Sequence, residues 1–88
     1  MPKFVAILTF QNEEQRLQAR PKHREYLASL LEQGKLVLSG PFADDKGALI
    51  VYEAESEREV RDIIAADPYS GADAIADLQL REWKQVYP

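Results

Sequence analysis

The single histidine of this chain, His23, falls on the apolar side of a predicted helix. Apolar residues follow it three, four, seven and eight positions later, the spacing of an amphipathic helix: Tyr26, Leu27, Leu30 and Leu31. The imidazole ring is therefore expected to face the core. Because imidazole readily takes or gives a proton near neutral pH, His23 is a candidate for acid–base catalysis. A hydrogen-bonded histidine with a purely structural role is the alternative.

Turn-forming residues divide the chain into six elements. Pro21 favours the first turn of a helix, and Gly34 offers a left-handed end to it. Gly40-Pro41 is expected to end the following strand, and Pro68 disfavours helical geometry at the residue before it. The predicted elements are strands over residues 3–10, 36–39, 48–53 and 77–87 and helices over residues 20–33 and 57–66.

Local signals add detail to these boundaries. Ser56 and Glu59 have the spacing of a capping box at the start of the second helix. The polar residues 11–19 are predicted as a loop with some helix, and residues 69–75 as a loop or a single turn. The alternation of the last strand changes phase near Arg81-Glu82, which predicts a β-bulge there.

The order βαββαβ predicts one α+β domain over residues 1–88, a ferredoxin-like sandwich. Its four-stranded antiparallel sheet would carry both helices on one face. Two strands, Phe4–Leu8 and Ala48–Tyr52, are apolar on both faces, and no third layer remains in the chain to cover the second face. We therefore expect a homodimer through that face, with the alternative that an antiparallel sheet leaves it exposed.

The strand directions bring distant residues to one end of this fold. With right-handed crossovers, the start of the first helix lies at the same end of the fold as the last residues of the second strand and of the second helix. His23 should therefore approach the turn at Ser39-Gly40-Pro41. Asp67 follows Ile64 by three residues, so it lies on the inward side of the second helix, near the same place.

The same residues carry a resemblance to a known family. In chain order the motifs are Arg20-x-x-His23 with Leu27 and Leu30, then Ser39-Gly40-Pro41, then Ala66-Asp67-Pro68-Tyr69. Together they are similar to the YCII-related (YciI-like) family over nearly the whole chain. The resemblance implies a dimeric α+β barrel and a pocket in which His23 and Asp67 form a catalytic pair. It also implies kinship with small isomerases, lactone-processing enzymes and dehydrochlorinases.

In such a pair, Asp67 would orient the imidazole and stabilise its protonated form while His23 carries the proton. From the residues alone, a carboxylate that caps local backbone beside Pro68 is an equal alternative. Arg20, one helical turn from His23, would bind an anionic group or remain solvated. The Ser39 hydroxyl and the Gly40 backbone would contact substrate or simply end a strand.

Other residues near these motifs are candidates for the pocket wall. Pro41 and Phe42 follow the Ser39-Gly40 turn and are assigned with it to substrate binding. Phe42 and Phe10 would form apolar walls, or else belong to the core. Tyr69 would line the pocket, or pack against the second helix.

Composition excludes several function classes. The chain has 88 residues, a net charge of −4 and no cysteine. The sequence contains no stripe of basic residues that would indicate nucleic-acid binding, and no apolar run reaches the ~20 residues of a membrane span. One histidine with scattered carboxylates does not predict a metal site, and no glycine-rich loop predicts a phosphate-bearing cofactor, so we expect none. The lack of cysteine suits the cytoplasm.

Two functions fit these observations. The first is a small enzyme without a cofactor that acts on a small cyclic or aromatic molecule by isomerisation, elimination or lactone chemistry through His23 and Asp67. The second is a dimer that binds or senses a small molecule in the same pocket without turnover. A serine-hydrolase mechanism is disfavoured because no nucleophile-elbow sequence surrounds Ser39.

Overall fold

A computed structural model of all 88 residues contains one four-stranded antiparallel sheet. Its strands lie in the order β2-β3-β1-β4. They are β1 (Lys3–Phe10), β2 (Leu36–Pro41), β3 (Gly47–Glu53) and β4 (Ile75–Trp83), and the helices are α1 (Glu13–Glu32), α2 (Glu57–Ala65) and the single turn α3 (Pro68–Gly71). The predicted ferredoxin-like α+β fold is confirmed.

The core lies between the sheet and the two long helices. Alternate residues of β1 and β3 point toward the helices, where Ala6 and Ile50 are almost completely buried. Helix α2 contributes its apolar face. The buried residues of this cluster are Phe4, Ala6, Leu8, Leu30, Leu36, Ile50, Tyr52, Ala54, Val60, Ile63 and Ile64. The helices are thereby held at fixed positions over the sheet, which positions the side chains considered below.

Helix α1 begins at Glu13, so the prediction of a loop with some helix over residues 11–19 is wrong in extent: residues 13–19 are entirely helical. The segment is rich in Glu, Gln, Leu, Ala and Arg, which favour helix, and Glu13 and Glu14 suit the positive end of the helix dipole. The Asn12 side chain bonds the carbonyl oxygen of Asp73 at 2.7 Å and anchors the helix start. Pro21 therefore lies inside the helix rather than in its first turn, and His23 lies near its middle.

The predicted ends of two strands need correction. Strand β2 continues through Gly40 and Pro41, because it is an edge strand and the missing N–H of proline is tolerated there. Strand β4 spans Ile75–Trp83 rather than 77–87. Its irregularity lies opposite Thr9 and Phe10, while Arg81 and Glu82 pair in regular register. The phase change arises because Trp83 belongs to the outer face of the sheet.

Two predicted helix ends are confirmed. Ser56 is the N-cap of α2, and its hydroxyl accepts a hydrogen bond from the Glu59 backbone at 3.2 Å. The Glu59 carboxylate reaches back to the N–H of Glu55, one residue before the position expected in a capping box. Gly34 follows α1 with φ 75°, a left-handed conformation that glycine adopts at little cost.

The face of the sheet away from the helices carries an apolar patch bordered by charged residues such as Arg81. Val5 and Val51 face each other across β1 and β3 on this side, and Ile7 pairs with Leu49. Trp83 is 42 % exposed beside them. We call Val5, Ile7, Leu38, Leu49, Val51 and Trp83 the outer apolar face. A monomer would leave Ile7, Leu38 and Trp83 in contact with water, whereas Val51 is already buried within one chain.

Gly47 is required by the close approach of β1 and β3. A methyl group at this position would collide with the carbonyl oxygen of Leu8 and press against the ring of Phe42. Nothing lies within 4 Å of a methyl group built on Gly40. Gly47→Ala should therefore lower the free energy of unfolding by about 1–3 kcal/mol. Gly40→Ala, the control, should change it by less than about 0.5 kcal/mol in the same urea titration.

Candidate active site

The centre of the site is a buried contact between His23 and Asp67. His23 Nδ1 lies 2.7 Å from Asp67 Oδ1 and 3.0 Å from Oδ2. The two side chains are 10 % and 2 % exposed. An ionised carboxylate can only accept, so Nδ1 donates its hydrogen to Asp67. This leaves Nε2, which forms no hydrogen bond within the chain, as the ring nitrogen free to exchange a proton.

Asp67 makes both contacts that the sequence left open, one to local backbone and one to His23. It is the N-cap of α3, where Oδ1 accepts the backbone N–H of Tyr69 at 2.8 Å. The same carboxylate holds His23. Pro68 at the first position of the turn fixes the chain direction after Asp67. Capping therefore orients the carboxylate toward the imidazole, and the structural and functional readings of Asp67 are compatible.

The imidazole is also held by an aromatic ring. Tyr69 stacks on His23 with ring centres 3.7 Å apart and planes 3° from parallel. Phe10 meets Tyr69 edge-on at 5.6 Å. The Arg16 guanidinium lies 4.5 Å above the Phe10 ring. His23 is thus fixed by a hydrogen bond at one edge and by packing on one face.

A cavity of about 440 Å³ opens beside this pair, between α1 and β2. This volume falls in the range of small-molecule sites. Much of its wall is apolar, including Phe10, Leu27 and Leu31, and His23 contributes its ring. A small organic molecule in this cavity would therefore meet a largely apolar surface, one imidazole and several charged side chains.

The structure places most of the sequence candidates around this cavity. Its wall includes Arg20, His23, Ser39, Gly40, Pro41 and Tyr69. Asp67 lies behind His23 rather than in the wall. Phe42 is not part of the wall; it is 40 % exposed in the β2–β3 connection. Phe10 lines the cavity and also packs on the core. Tyr69 lines the cavity and also packs on His23.

The sequence prediction does not include Arg16, which is 3 % exposed and lines the cavity. Its Nη2 donates to Asp45 Oδ2 at 3.1 Å, and its Nε is buried without a partner. Burial disfavours the guanidinium charge, but Asp45 and Tyr69 outweigh this effect and raise the pKa of Arg16. The sequence signal for Arg16 is its spacing: when the helix is extended toward its N-terminus, Arg16 lies four residues before Arg20 and seven before His23.

The negative charge of the Asp67 carboxylate contributes to the pKa of two neighbouring tyrosine hydroxyls. Burial, and secondarily the charge of Asp67, raises the pKa of the Tyr52 hydroxyl. The same two causes raise the pKa of Tyr26, whose hydroxyl donates to the Ile63 carbonyl at 2.7 Å. Both phenols therefore stay protonated at neutral pH and do not compete with His23 as bases.

Neither a metal centre nor a membrane segment is found. No three His, Asp or Glu side chains are grouped so as to hold a metal ion. None of the helices combines the length and the apolar character needed to cross a membrane.

The family can now be assigned. The model of the YCII-related domain matches residues 3–84. The chain belongs to the YCII-related family. The uncharacterized protein YjpA of Bacillus subtilis (strain 168) is 35 % identical over 78 residues, which are 89 % of this chain and 91 % of YjpA. The resemblance stated from the motifs is confirmed.

Two further relatives have names that mention small aromatic compounds. The derivative of benzaldehyde biosynthesis cluster protein C of Emericella nidulans is 38 % identical over 68 residues, covering 65 % of this chain and 69 % of that protein. The 5-chloro-2-hydroxyhydroquinone dehydrochlorinase TftG of Burkholderia phenoliruptrix AC1100, solved with 2,5-dihydroxybenzoquinone, is 26 % identical. It superposes with a TM-score of 0.80 over 93 % of each chain.

Removing the Asp67 carboxylate should destabilise the fold. Asp67→Ala loses the cap of α3 and leaves a buried imidazole nitrogen without a partner, so the free energy of unfolding should fall by about 2–4 kcal/mol. Asp67→Asn, which keeps an acceptor, should cost less. Asp62→Ala removes an exposed carboxylate from α2 and should cost less than about 0.5 kcal/mol. Equal effects of the two alanine variants would contradict the assigned role of Asp67.

Proposed function

We propose that this protein is a small enzyme that transfers protons on a small cyclic or aromatic molecule without a cofactor. The observation that carries the proposal is the His23–Asp67 pair, with Nδ1 held at 2.7 Å and Nε2 unused beside a cavity. Asp67 fixes the tautomer in which Nε2 is the basic nitrogen. The ring can then take a proton from the substrate, and the buried carboxylate stabilises the resulting imidazolium.

The similarity to TftG favours an elimination among the possible reactions. That protein is a dehydrochlorinase of a chlorinated hydroxyhydroquinone. In such a step a base takes a proton from the substrate while chloride leaves with the electrons of its bond to carbon, so HCl is lost overall. His23 is the base in this proposal. Isomerisation and lactone chemistry need the same proton transfer and are the other candidates.

Around the reacting nitrogen, the remaining candidates have binding roles in this proposal. Tyr69 holds the imidazole plane by stacking. Arg20 and the exposed Ser39 offer polar contacts from opposite sides of the cavity. Gly40 and Pro41 form the β2 side of the wall, where a ligand can approach the backbone closely.

Turnover tests this assignment. The protein should release chloride from a chlorinated hydroxyhydroquinone, or convert another hydroxylated aromatic or lactone from a small panel. His23→Asn and Asp67→Asn should each lower kcat by about 10²–10⁴, while the folded state, checked by circular dichroism, persists. Arg58→Gln alters an exposed arginine on α2 and serves as the control. Binding of panel compounds without turnover, or full activity of His23→Asn, would favour a binding protein over an enzyme.

We also propose that two copies pair through the outer apolar face. Contiguous exposed apolar surface of this kind marks an interaction site, and an identical copy is complementary under twofold symmetry. Leu38 of this face also lines the cavity with His23, so the paired copy would border the cavity at β2 and leave its α1 side open. No membrane or nucleic-acid partner forms part of the proposal.

Sedimentation equilibrium measures this pairing. The wild type should have a mass of about 20 kDa, twice the chain mass of 10.0 kDa. Ile7→Lys places a charge in the outer apolar face and should give monomers. Leu17→Lys changes a similarly exposed apolar residue on α1 and should remain dimeric. A wild-type monomer at micromolar concentration would contradict the proposal.

A further inference from the structure

We infer that the cavity binds a small organic anion, a single-ring carboxylate or phenolate, and that Arg16 is the group that anchors its charge. This inference deepens the proposed function and rests on it for the identity of the site, although binding can be measured without turnover.

The charge of the cavity wall is opposite to that of the whole protein. The chain has a net charge of −4. The wall nevertheless contains Arg16, Arg20 and Arg24, and its single carboxylate is Asp45. Cations concentrated in a cleft attract and hold anions. A neutral ligand would make no use of this arrangement.

The three arginines form one row on α1. They are four residues apart, so their side chains emerge from the same side of the helix, one turn above the other. Neither Arg20 nor Arg24 lies within 4.0 Å of a carboxylate, and only Arg16 is neutralised, by Asp45 at 3.1 Å. Two guanidinium charges at the cavity are therefore uncompensated within the chain.

Arg16 has a donor that the chain leaves unused. Its guanidinium is buried, donates to Asp45 through Nη2, packs on Phe10 and lies close to the Tyr69 side chain, yet Nε has no hydrogen-bond partner. Buried donors without partners are rare in folded proteins, and a ligand oxygen is one group that would satisfy this one. Because Asp45 occupies Nη2, an anion can bind at Nε without displacing the ion pair.

The surroundings favour an anion that carries a flat ring. Phe10 and Tyr69 form a row of ring contacts between the Arg16 guanidinium and the His23 imidazole. Arg16 precedes His23 by two helical turns, about 10 Å along the helix axis. A single-ring molecule with its anionic oxygen near Arg16 would therefore extend toward Nε2 of His23.

Benzoate and benzamide test the inference, because they have nearly the same shape and differ in charge. Calorimetric titration of the wild type at low salt should show benzoate binding at least about tenfold more tightly than benzamide, with an affinity that falls as salt is added. In a ¹H–¹⁵N spectrum, the Nε–Hε signal of Arg16 should shift with benzoate and not with benzamide. Equal affinities, or an unmoved Arg16 signal, would overturn the inference.

Variants distinguish a hydrogen bond donated by Arg16 Nε from the effect of positive charge alone. Arg16→Lys keeps the charge but lacks Nε, and it should weaken benzoate binding by about tenfold. Asp45→Asn keeps Arg16 and removes its counter-charge, so benzoate should bind at least as tightly as to wild type. Arg58→Gln is the control and should leave benzoate binding unchanged. Wild-type affinity in Arg16→Lys would overturn the inference, and if that variant does not fold, the Asp45→Asn result and the Arg16 signal decide the question.

Failure of this inference can be told apart from failure of the proposed function. His23→Asn should lose turnover and still bind benzoate, because the anion contacts Arg16. Turnover without selective anion binding would refute only the role of Arg16. Selective anion binding without any turnover would leave Arg16 as assigned and refute the catalytic role of His23.

Discussion

The hydrogen bond between His23 and Asp67 connects the middle of α1 to the turn that follows α2. Both side chains are buried, so separating them would leave an imidazole nitrogen without a partner and a carboxylate with only the Tyr69 N–H, and the cost is high. Their contact joins residues 44 positions apart in the chain. It fixes both the orientation of a helix and the tautomer of the only histidine, so the fold and the proposed chemistry depend on the same interaction.

Contacts extend from this pair across the helix side of the site. Tyr69, whose backbone is capped by Asp67, stacks on the imidazole and meets Phe10 at its edge. Phe10 lies under Arg16, which holds the β2–β3 connection through Asp45. The cavity wall is therefore one continuous set of contacts, and a change at Asp67 is expected to reach its far end through packing.

Sequence patterns were sufficient for the fold and for much of the site, because strand order and helix direction determine which ends meet. They placed His23 and Asp67 together before any distance was known. They underestimate the helix at residues 13–19, where polarity suggests a loop although the residues favour helix and Asn12 is anchored to Asp73 by a tertiary hydrogen bond. Because that part of α1 is not predicted as helix, Arg16 is not predicted to share a helix with His23. The continuation of β2 through Pro41 depends on its edge position, which only the sheet order reveals.

The proposed catalysis requires that Asp67 hold His23 with the proton on Nδ1 and leave the lone pair of Nε2 free to accept a proton. Long-range ¹H–¹⁵N correlation spectra of the ring, recorded over a range of pH, report which nitrogen carries the proton in the neutral form. The wild type should show the Nδ1–H tautomer, and Asp67→Ala should lose that preference. An Nε2–H tautomer in the wild type, as free histidine favours in water, would contradict the assigned role of Asp67.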